Sequence, residues 1–310
     1  MRNGANRAPT IHYICKGKIF FGFLFTFSAF YTTFVGTNRI QSIVTLSQKS
    51  DTMKKILLIL LAAVSLTTAC GQQRKDQQAA AATTTNTHET DTFKTKSGKP
   101  VVFHALMHAS IRIQYDGKEI EIDPVLKLGN RQTDYTQFPK ADYIFVTHEH
   151  QDHYSPDAIK QLTKENTQLV TNKRCADMLG YGQAMKNGDS KTIADDITLE
   201  AVPAYNITDG HLQFHPKGRD NGYILTLDGL RIYIAGDTED IPDMAALKDI
   251  DIAFLPCNQP YTMTTDQLIH AAQMVKPKVL FPYHYGKTDV SALPSQLQSA
   301  GIEVRIRHYE

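Results

Sequence analysis

The chain has 310 residues, 42% of them hydrophobic and 21% charged, with 33 lysines and arginines against 32 aspartates and glutamates. That is ordinary globular composition, long enough for one large or two small domains, and it excludes a collagen-like, disulfide-dense or wholly disordered chain. Residues 71–310 hold 25 basic and 31 acidic side chains, a net charge near −6, which argues against nucleic acid as a partner because phosphate binding uses a basic footprint.

From the N-terminus, the first signal is Met53-Lys54-Lys55 followed by the apolar run Ile56 to Val64. A short basic region before a short apolar run reads as a secretory signal peptide over 53–70. It ends in Leu66-Thr67-Thr68-Ala69-Cys70, which resembles a bacterial lipobox, with Thr67 where leucine is usual. Cys70 is therefore expected to be the lipidated first residue of a protein anchored at the periplasmic face of a bacterial membrane. Residues 1–52 are read as an upstream extension with Met53 as the true start. The alternative is that the apolar stretch around Phe20 to Phe25 is itself a signal or membrane segment. Residues 71–99, rich in Gln, Ala and Thr near their start and without apolar periodicity, are read as a tether.

From Pro100 the pattern changes to short strands. Strands are expected over Val101 to Met107, Ile111 to Tyr115 and Glu119 to Ile122, with Asp116-Gly117 turning a hairpin. The apolar strand Tyr143 to Val146 runs into a histidine-rich loop. Ser155-Pro156-Asp157 then supplies an N-cap and a first-turn proline for a helix to about Leu162. Strands follow near Gln168 to Val170 and Thr198 to Val202. A hairpin joins Tyr223–Leu227 to Arg231–Ala235 through Asp228-Gly229. Strands Ile252 to Leu255 and Val279 to Phe281 flank a helix from about Asp266 to Val275, and Ile302 to Ile306 closes the chain. Two mixed halves of this kind predict an α/β (α+β) domain over 100–310, with two packed sheets flanked by helices. Cys175 and Cys257 lack metal-type spacing. Nothing in the sequence puts them together, so two buried free thiols are expected rather than a disulfide.

The chemistry concentrates in His148-Glu149-His150-Gln151-Asp152-His153. Four ligand types for zinc or a similar first-row metal fall within six residues at the end of a buried strand. Alternation puts His148 and His150 on one side, and the following turn lets Asp152 and His153 face a neighbouring point. Two adjacent metal positions are expected.

This run resembles the H-x-H-x-D-H signature of the metallo-β-lactamase superfamily. Ile122-Asp123-Pro124, Ala235-Gly236-Asp237-Thr238 and Pro282-Tyr283-His284-Tyr285-Gly286 are similar to its other motifs, in the same order. The resemblance extends from about Val101 to the C-terminus and implies an αββα sandwich. It also implies that His148 and His150 hold a first metal, that Asp152, His153 and His284 hold a second, and that Asp237 bridges them. The family's third histidine for the first metal is missing, because its place reads Pro203-Ala204-Tyr205-Asn206. Asn206 is a weak neutral ligand, so either the first site is incomplete or a nearby histidine substitutes. His215 is the candidate, ahead of His211.

Asp123 is expected to orient a ligand histidine rather than bind metal. Tyr205 and Asn206 are expected beside the ligands or the substrate. His108 is open between lining the site and packing in the core, whereas His104, His270 and His308 are read as structural or exposed. Family β-lactamases generally carry cysteine or serine at the position of Asp237, which disfavours that activity. The motif order, with Tyr261-Thr262-Met263 before a helix, most resembles the branch of ascorbate-phosphate lactonase-like proteins and the phospholipase D acting on N-acyl-phosphatidylethanolamines. The expectation is a hydrolase that attacks an ester, lactone or phosphodiester of a small molecule or lipid headgroup with a metal-bound hydroxide. Asp152 would hold the water and accept its proton. Two divalent ions are implied, zinc first and manganese or iron as alternatives. The rival expectation, motivated by Asn206, is a non-catalytic metal-dependent binding lipoprotein.

Overall fold

The computed structural model describes residues 88–309. The upstream extension, the signal peptide with Cys70, and residues 71–87 of the tether lie outside the described residues. No helix among the described residues is long and apolar enough to cross a membrane.

Sixteen strands are described: β1 (Thr90–Lys94), β2 (Pro100–Met107), β3 (Ser110–Tyr115), β4 (Lys118–Ile122), β5 (Lys127–Leu128), β6 (Arg131–Gln132), β7 (Tyr143–Val146), β8 (Gln168–Thr171), β9 (Gln183–Ala184), β10 (Ser190–Ala194), β11 (Ile197–Ala204), β12 (Asp220–Leu227), β13 (Leu230–Ile234), β14 (Ile252–Pro256), β15 (Val279–Tyr283) and β16 (Glu303–Val304). One sheet has the order β1-β2-β3-β4-β7-β8-β9 and the other β10-β11-β12-β13-β14-β15-β16, with β5 and β6 as a separate ribbon. Each large sheet begins as an antiparallel meander and continues with parallel strands from β4 or β13 onward. Both anticipated hairpins are present. Asp116-Gly117 has φ of 48° and 72° and Asp228-Gly229 has 44° and 79°, the paired left-handed residues that a tight two-residue turn demands.

The two sheets face each other through alternate side chains, such as Phe103, Ile113, Phe145, Leu225, Ile234 and Phe281. The opposite faces of the central strands are also buried. Ile144 and Val146 meet α1 (Pro156–Leu162) and α2 (Lys173–Leu179). Ala253, Leu255 and Leu280 meet α3 (Thr265–Val275) and α4 (Leu293–Leu297). Burial on both faces explains why β7 and β14 read as unbroken apolar runs. The result is the αββα sandwich. Ser155 caps α1, and Thr264 and Gln267 form a capping box on α3.

Three readings need correction. Residues 90–94, read as tether, form an edge strand on β2. Phe93 packs edge-on against Phe103 at 5.5 Å, and buried Asp91 receives the guanidiniums of Arg305 and Arg307. Helix α2 and the strands β5, β6, β9 and β10 were not anticipated, being short or polar. The closing strand shrinks to Glu303–Val304. Cys175 and Cys257 are free, buried in the outer layers of different sheets.

Candidate metal centre

The site is built at one edge, where β4, β7, β13 and β15 reach their C-terminal ends and the β2–β3 and β11–β12 connections lie alongside. Loops leaving parallel strands at this edge can converge from both sheets. Thr147, directly after β7, is clamped by Asp123, directly after β4. The Thr147 amide donates to Asp123 Oδ1 at 2.7 Å, and its hydroxyl donates to Oδ2 at 2.8 Å. That clamp fixes where the histidine run begins. His153 N then donates to His150 O at 2.9 Å, the turn that brings Asp152 and His153 back toward the strand.

Two donor sets result, His148, His150, His215 and Asp237 in one, and His108, Asp152, His153 and His284 in the other. Within each, the ligand atoms lie within 4.8 Å of one another. Asp237 stands between them, with Oδ1 3.1 Å from His153 Nε2, and Oδ2 3.3 Å from both His215 Nε2 and His284 Nε2 and 3.8 Å from His148 Nε2. Asp152 Oδ2 lies 3.2 Å from His108 Nε2 and 3.3 Å from His284 Nε2.

Whether these residues fit metal ions can be asked of their free atoms. His153 Nε2, His215 Nε2 and Asp237 Oδ1 are buried without a hydrogen-bond partner, although they face one another's groups closely. Buried polar atoms left this way are costly, and lone pairs pointed at a shared space are what a cation satisfies. The charges agree. Burial opposes ionisation of Asp237, yet the charges of His153 and His284 outweigh it and hold its carboxyl well below the usual range. Burial likewise opposes charge on His284, but Asp237 and Asp152 lift it to about 9. Protons on these histidines stand in for positive charge that a metal would supply. Burial, with His153 beside it, keeps His148 far below the ordinary histidine range and neutral, as a ligand must be.

His153 Nδ1 lies 2.8 Å from Asp123 Oδ2, so Asp123 fixes the ring of a donor histidine from behind. His215 is backed in the same way by Asp220 at 3.0 Å, itself held by Arg219 at 2.7 and 2.8 Å. His215 enters because the chain from 206 to 215 loops back. Asn206 N donates to His215 O at 2.8 Å, Gly210 takes φ +85°, and Glu239 accepts the amides of Ile207 and Thr208 at 2.7 Å each. His215 thus lies among the donors with His148, His150 and Asp237, whereas His211 turns to Glu239 at 3.2 Å.

Asn206 lies beside His215 and the cavity-lining Tyr261, whereas Tyr205 points away. The Asn206 carboxamide donates to Tyr261 O at 2.8 Å and His211 O at 3.3 Å, binding two loops together. Tyr205 packs in the outer helical layer, its hydroxyl on Asp243 at 2.7 Å. His104, His270 and His308 pair with Gln114, Asp240 and Glu89 outside the site.

Sequence reasoning left His108 open and missed Asp220, Glu239 and Thr147. His108 belongs to the second donor set because the β2–β3 turn carries it to this edge, and His284 N donates to His108 O at 3.1 Å. His108, Asp123 and His284 all adopt left-handed backbone, with φ of 56°, 43° and 48°. Strain of that kind in non-glycine residues gathers at functional sites. Gly236, at φ +65°, precedes Asp237 where an added Cβ would come within 2.9 Å of Asn221 O. A cavity of about 510 Å³ opens over the donor sets, lined by Glu149, His150, Gln151, Asp152, Phe214, His215, Asp237 and Tyr261.

The family model described as a beta-lactamase superfamily domain matches residues 103–284. A UPF0173 metal-dependent hydrolase of Ligilactobacillus salivarius is 32% identical over 184 residues, covering 57% of this chain and 82% of its own length. A namesake from Thermococcus kodakarensis is 32% identical over 192 residues, with 58% and 82% covered. Among solved structures, a putative metal-dependent hydrolase from Parabacteroides distasonis is 52% identical, covering 72% of this chain and 100% of that one, with a TM-score of 0.69. Igni18, a metallo hydrolase of Ignicoccus hospitalis, is 25% identical, with 66% and 94% covered and a TM-score of 0.57.

Proposed function

We propose, for a chain that belongs to the metallo-β-lactamase superfamily and is a metal-dependent hydrolase, that it cleaves an ester, lactone or phosphodiester at a two-metal centre. The observation that carries this is the pair of four-donor sets meeting at Asp237, with His153 Nε2 and His215 Nε2 buried and unbonded between them. His148, His150 and His215 would hold one divalent ion, His108, Asp152, His153 and His284 the other, and Asp237 would serve both. Zinc suits this imidazole and carboxylate set first, with manganese or iron as alternatives. When bound, two such ions lower the pKa of water and polarise the substrate oxygen.

The protein's residues do the rest. Asp152 lines the cavity and orients the attacking water, taking up its proton as the new bond to carbon or phosphorus forms. It returns that proton to the leaving oxygen as the old bond breaks. Asp123 and Asp220 hold His153 and His215 in register so that no reorganisation is needed during the reaction. A non-catalytic binding role is motivated by Asn206; the grouping of His215 with His148, His150 and Asp237 supports the enzyme reading instead.

We further propose anchoring through Cys70 on the periplasmic face of a bacterial membrane, supported by the lipobox-like run before it. Substrates would then be small molecules or lipid headgroups of that compartment. The test is to strip the protein of metal, restore zinc, manganese or iron, and measure turnover of an ester, a lactone and a phosphodiester. Turnover of at least one, dependent on metal, supports the reading. Turnover of none under any metal removes it.

A further inference from the structure

We infer that the substrate carries an apolar acyl or aryl group beside an uncharged ester or lactone bond, and that Phe214 and Tyr261 hold that group. This rests on the hydrolase reading above and narrows it.

Besides donor residues, the cavity over the donor sets is lined by Glu149 and Gln151 and by the rings of Phe214 and Tyr261, which meet edge to face with centroids 5.1 Å apart. Tyr261 is 46% exposed, and Ile207 and Leu212, on the loop that carries Phe214, are 44% and 45% exposed. Only Met178 and Tyr181 are otherwise large, hydrophobic and exposed among the described residues, so three of these five side chains lie on the two loops that supply the aromatic pair. Such a concentration marks a binding surface.

The apolar wall is also built. Asn206, itself buried, ties Tyr261 O to His211 O, and buried Glu239 takes the amides of Ile207 and Thr208. Polar groups inside the fold thus hold two loops so that their aromatic side chains face the cavity. No lysine or arginine lines it. The guanidiniums of Arg174 and Arg219 lie on Glu149 at 3.2 and 3.6 Å, and Lys217 lies over the Tyr205 ring at 4.6 Å. Recognition of an anionic substrate away from the metals relies on such cations, and here both arginines are paired with a carboxylate of the cavity wall. In the reaction, water adds its oxygen to the acyl carbon, the bond to the leaving oxygen breaks, and the proton ends on that oxygen. An acid and an alcohol result, joined as a hydroxy acid when the substrate is a lactone.

The test uses zinc-loaded protein, the Phe214→Ala and Tyr261→Ala variants, and pH-stat rates on methyl acetate, butyrate and pentanoate. Monomethyl succinate, the charged counterpart of the pentanoate ester, and bis(4-nitrophenyl) phosphate complete the panel. kcat/KM should rise about tenfold from acetate to butyrate as two methylenes are buried, and fall about tenfold or more on going to monomethyl succinate. Both variants should flatten the chain-length gain, the loss falling mainly on butyrate and pentanoate, while melting temperatures hold. Binding of neutral N-phenyl-1-naphthylamine, read by fluorescence, should weaken about tenfold in each variant. A flat chain-length profile, a preference for monomethyl succinate or the phosphodiester, or probe binding indifferent to both variants overturns the inference and leaves the hydrolase reading intact. Probe binding lost in the variants, with no ester turned over by any protein, supports the apolar subsite and removes ester cleavage instead.

Discussion

Replacing His215 by alanine tests the assignment that the sequence made hardest to see. The imidazole is buried, its Nε2 lies 3.3 Å from Asp237, and its Nδ1 is held by Asp220 at 3.0 Å. Removal leaves His148, His150 and Asp237, three of four donors. Loss of an outer partner alone weakens metal binding about 10- to 100-fold, so losing the donor itself weakens it at least that far, by about 1.4 to 2.8 kcal/mol or more. Asp220→Asn, which removes only the charge behind the ring, belongs within that window. Asn206→Ala loses two hydrogen bonds worth about 1 kcal/mol each, and it should lower the melting temperature while changing metal affinity less than about threefold. The fold should survive His215→Ala, because Arg219 still satisfies Asp220. The assay is equilibrium dialysis against a buffered chelator, with metal counted by plasma mass spectrometry. About one equivalent should be lost in His215→Ala. Two equivalents retained at wild-type affinity would refute the reasoning.

Asp123→Asn keeps the shape that receives Thr147 but loses the charge facing His153, so one metal equivalent should bind about 10- to 100-fold more weakly and turnover should fall with it; unchanged affinity in the same dialysis counts against an orienting role. Glu121 is fully buried, neither oxygen has a hydrogen-bond partner, and burial pushes its carboxyl well above the usual range although Arg112 Nε lies 3.7 Å from Oε1. A raised acid stabilises the fold fully below its unfolded pKa of about 4.3, and that contribution is lost as pH rises through the folded value. Glu121→Gln should therefore raise the melting temperature at pH 7 more than at pH 4.5, and an equal shift at both pH values contradicts this. Cys70→Ser should move the protein from membrane to soluble fractions, and unchanged membrane association counts against the lipid anchor.

Much of the fold and part of the site were legible because they depend on local pattern. Alternating apolar residues placed β2, β3 and β4, unbroken apolar runs placed β7 and β14, and Asp-Gly pairs marked both hairpins. Ser155-Pro156 marked the start of α1. The donor run after β7, with Asp237 and His284, was readable as a cluster since each lies in a short motif at a strand end. What was not legible depends on partners distant in sequence. β1 looks like tether because Asp91 finds its arginines more than 200 residues away. His108 carries no motif, and only the left-handed turn after β2 brings it to Asp152. Asp220 and Glu239 read as ordinary acidic residues until the loop from 206 to 215 closes over them. Asn206 leaves two readings open in the sequence, an incomplete first site or a substituting histidine, because the bond of its amide to Tyr261 O spans 55 residues and no local pattern reveals it.

The central claim is a hydrolase whose two donor sets each take a divalent ion, and it is tested most directly by titrating zinc into metal-stripped protein while following bound metal and ester or phosphodiester turnover together. The account predicts no turnover without metal and a plateau of activity at two equivalents per chain, with Asp152→Ala inactive throughout though folded. Undiminished hydrolysis in the stripped protein, or full activity at a plateau of one equivalent, would contradict it.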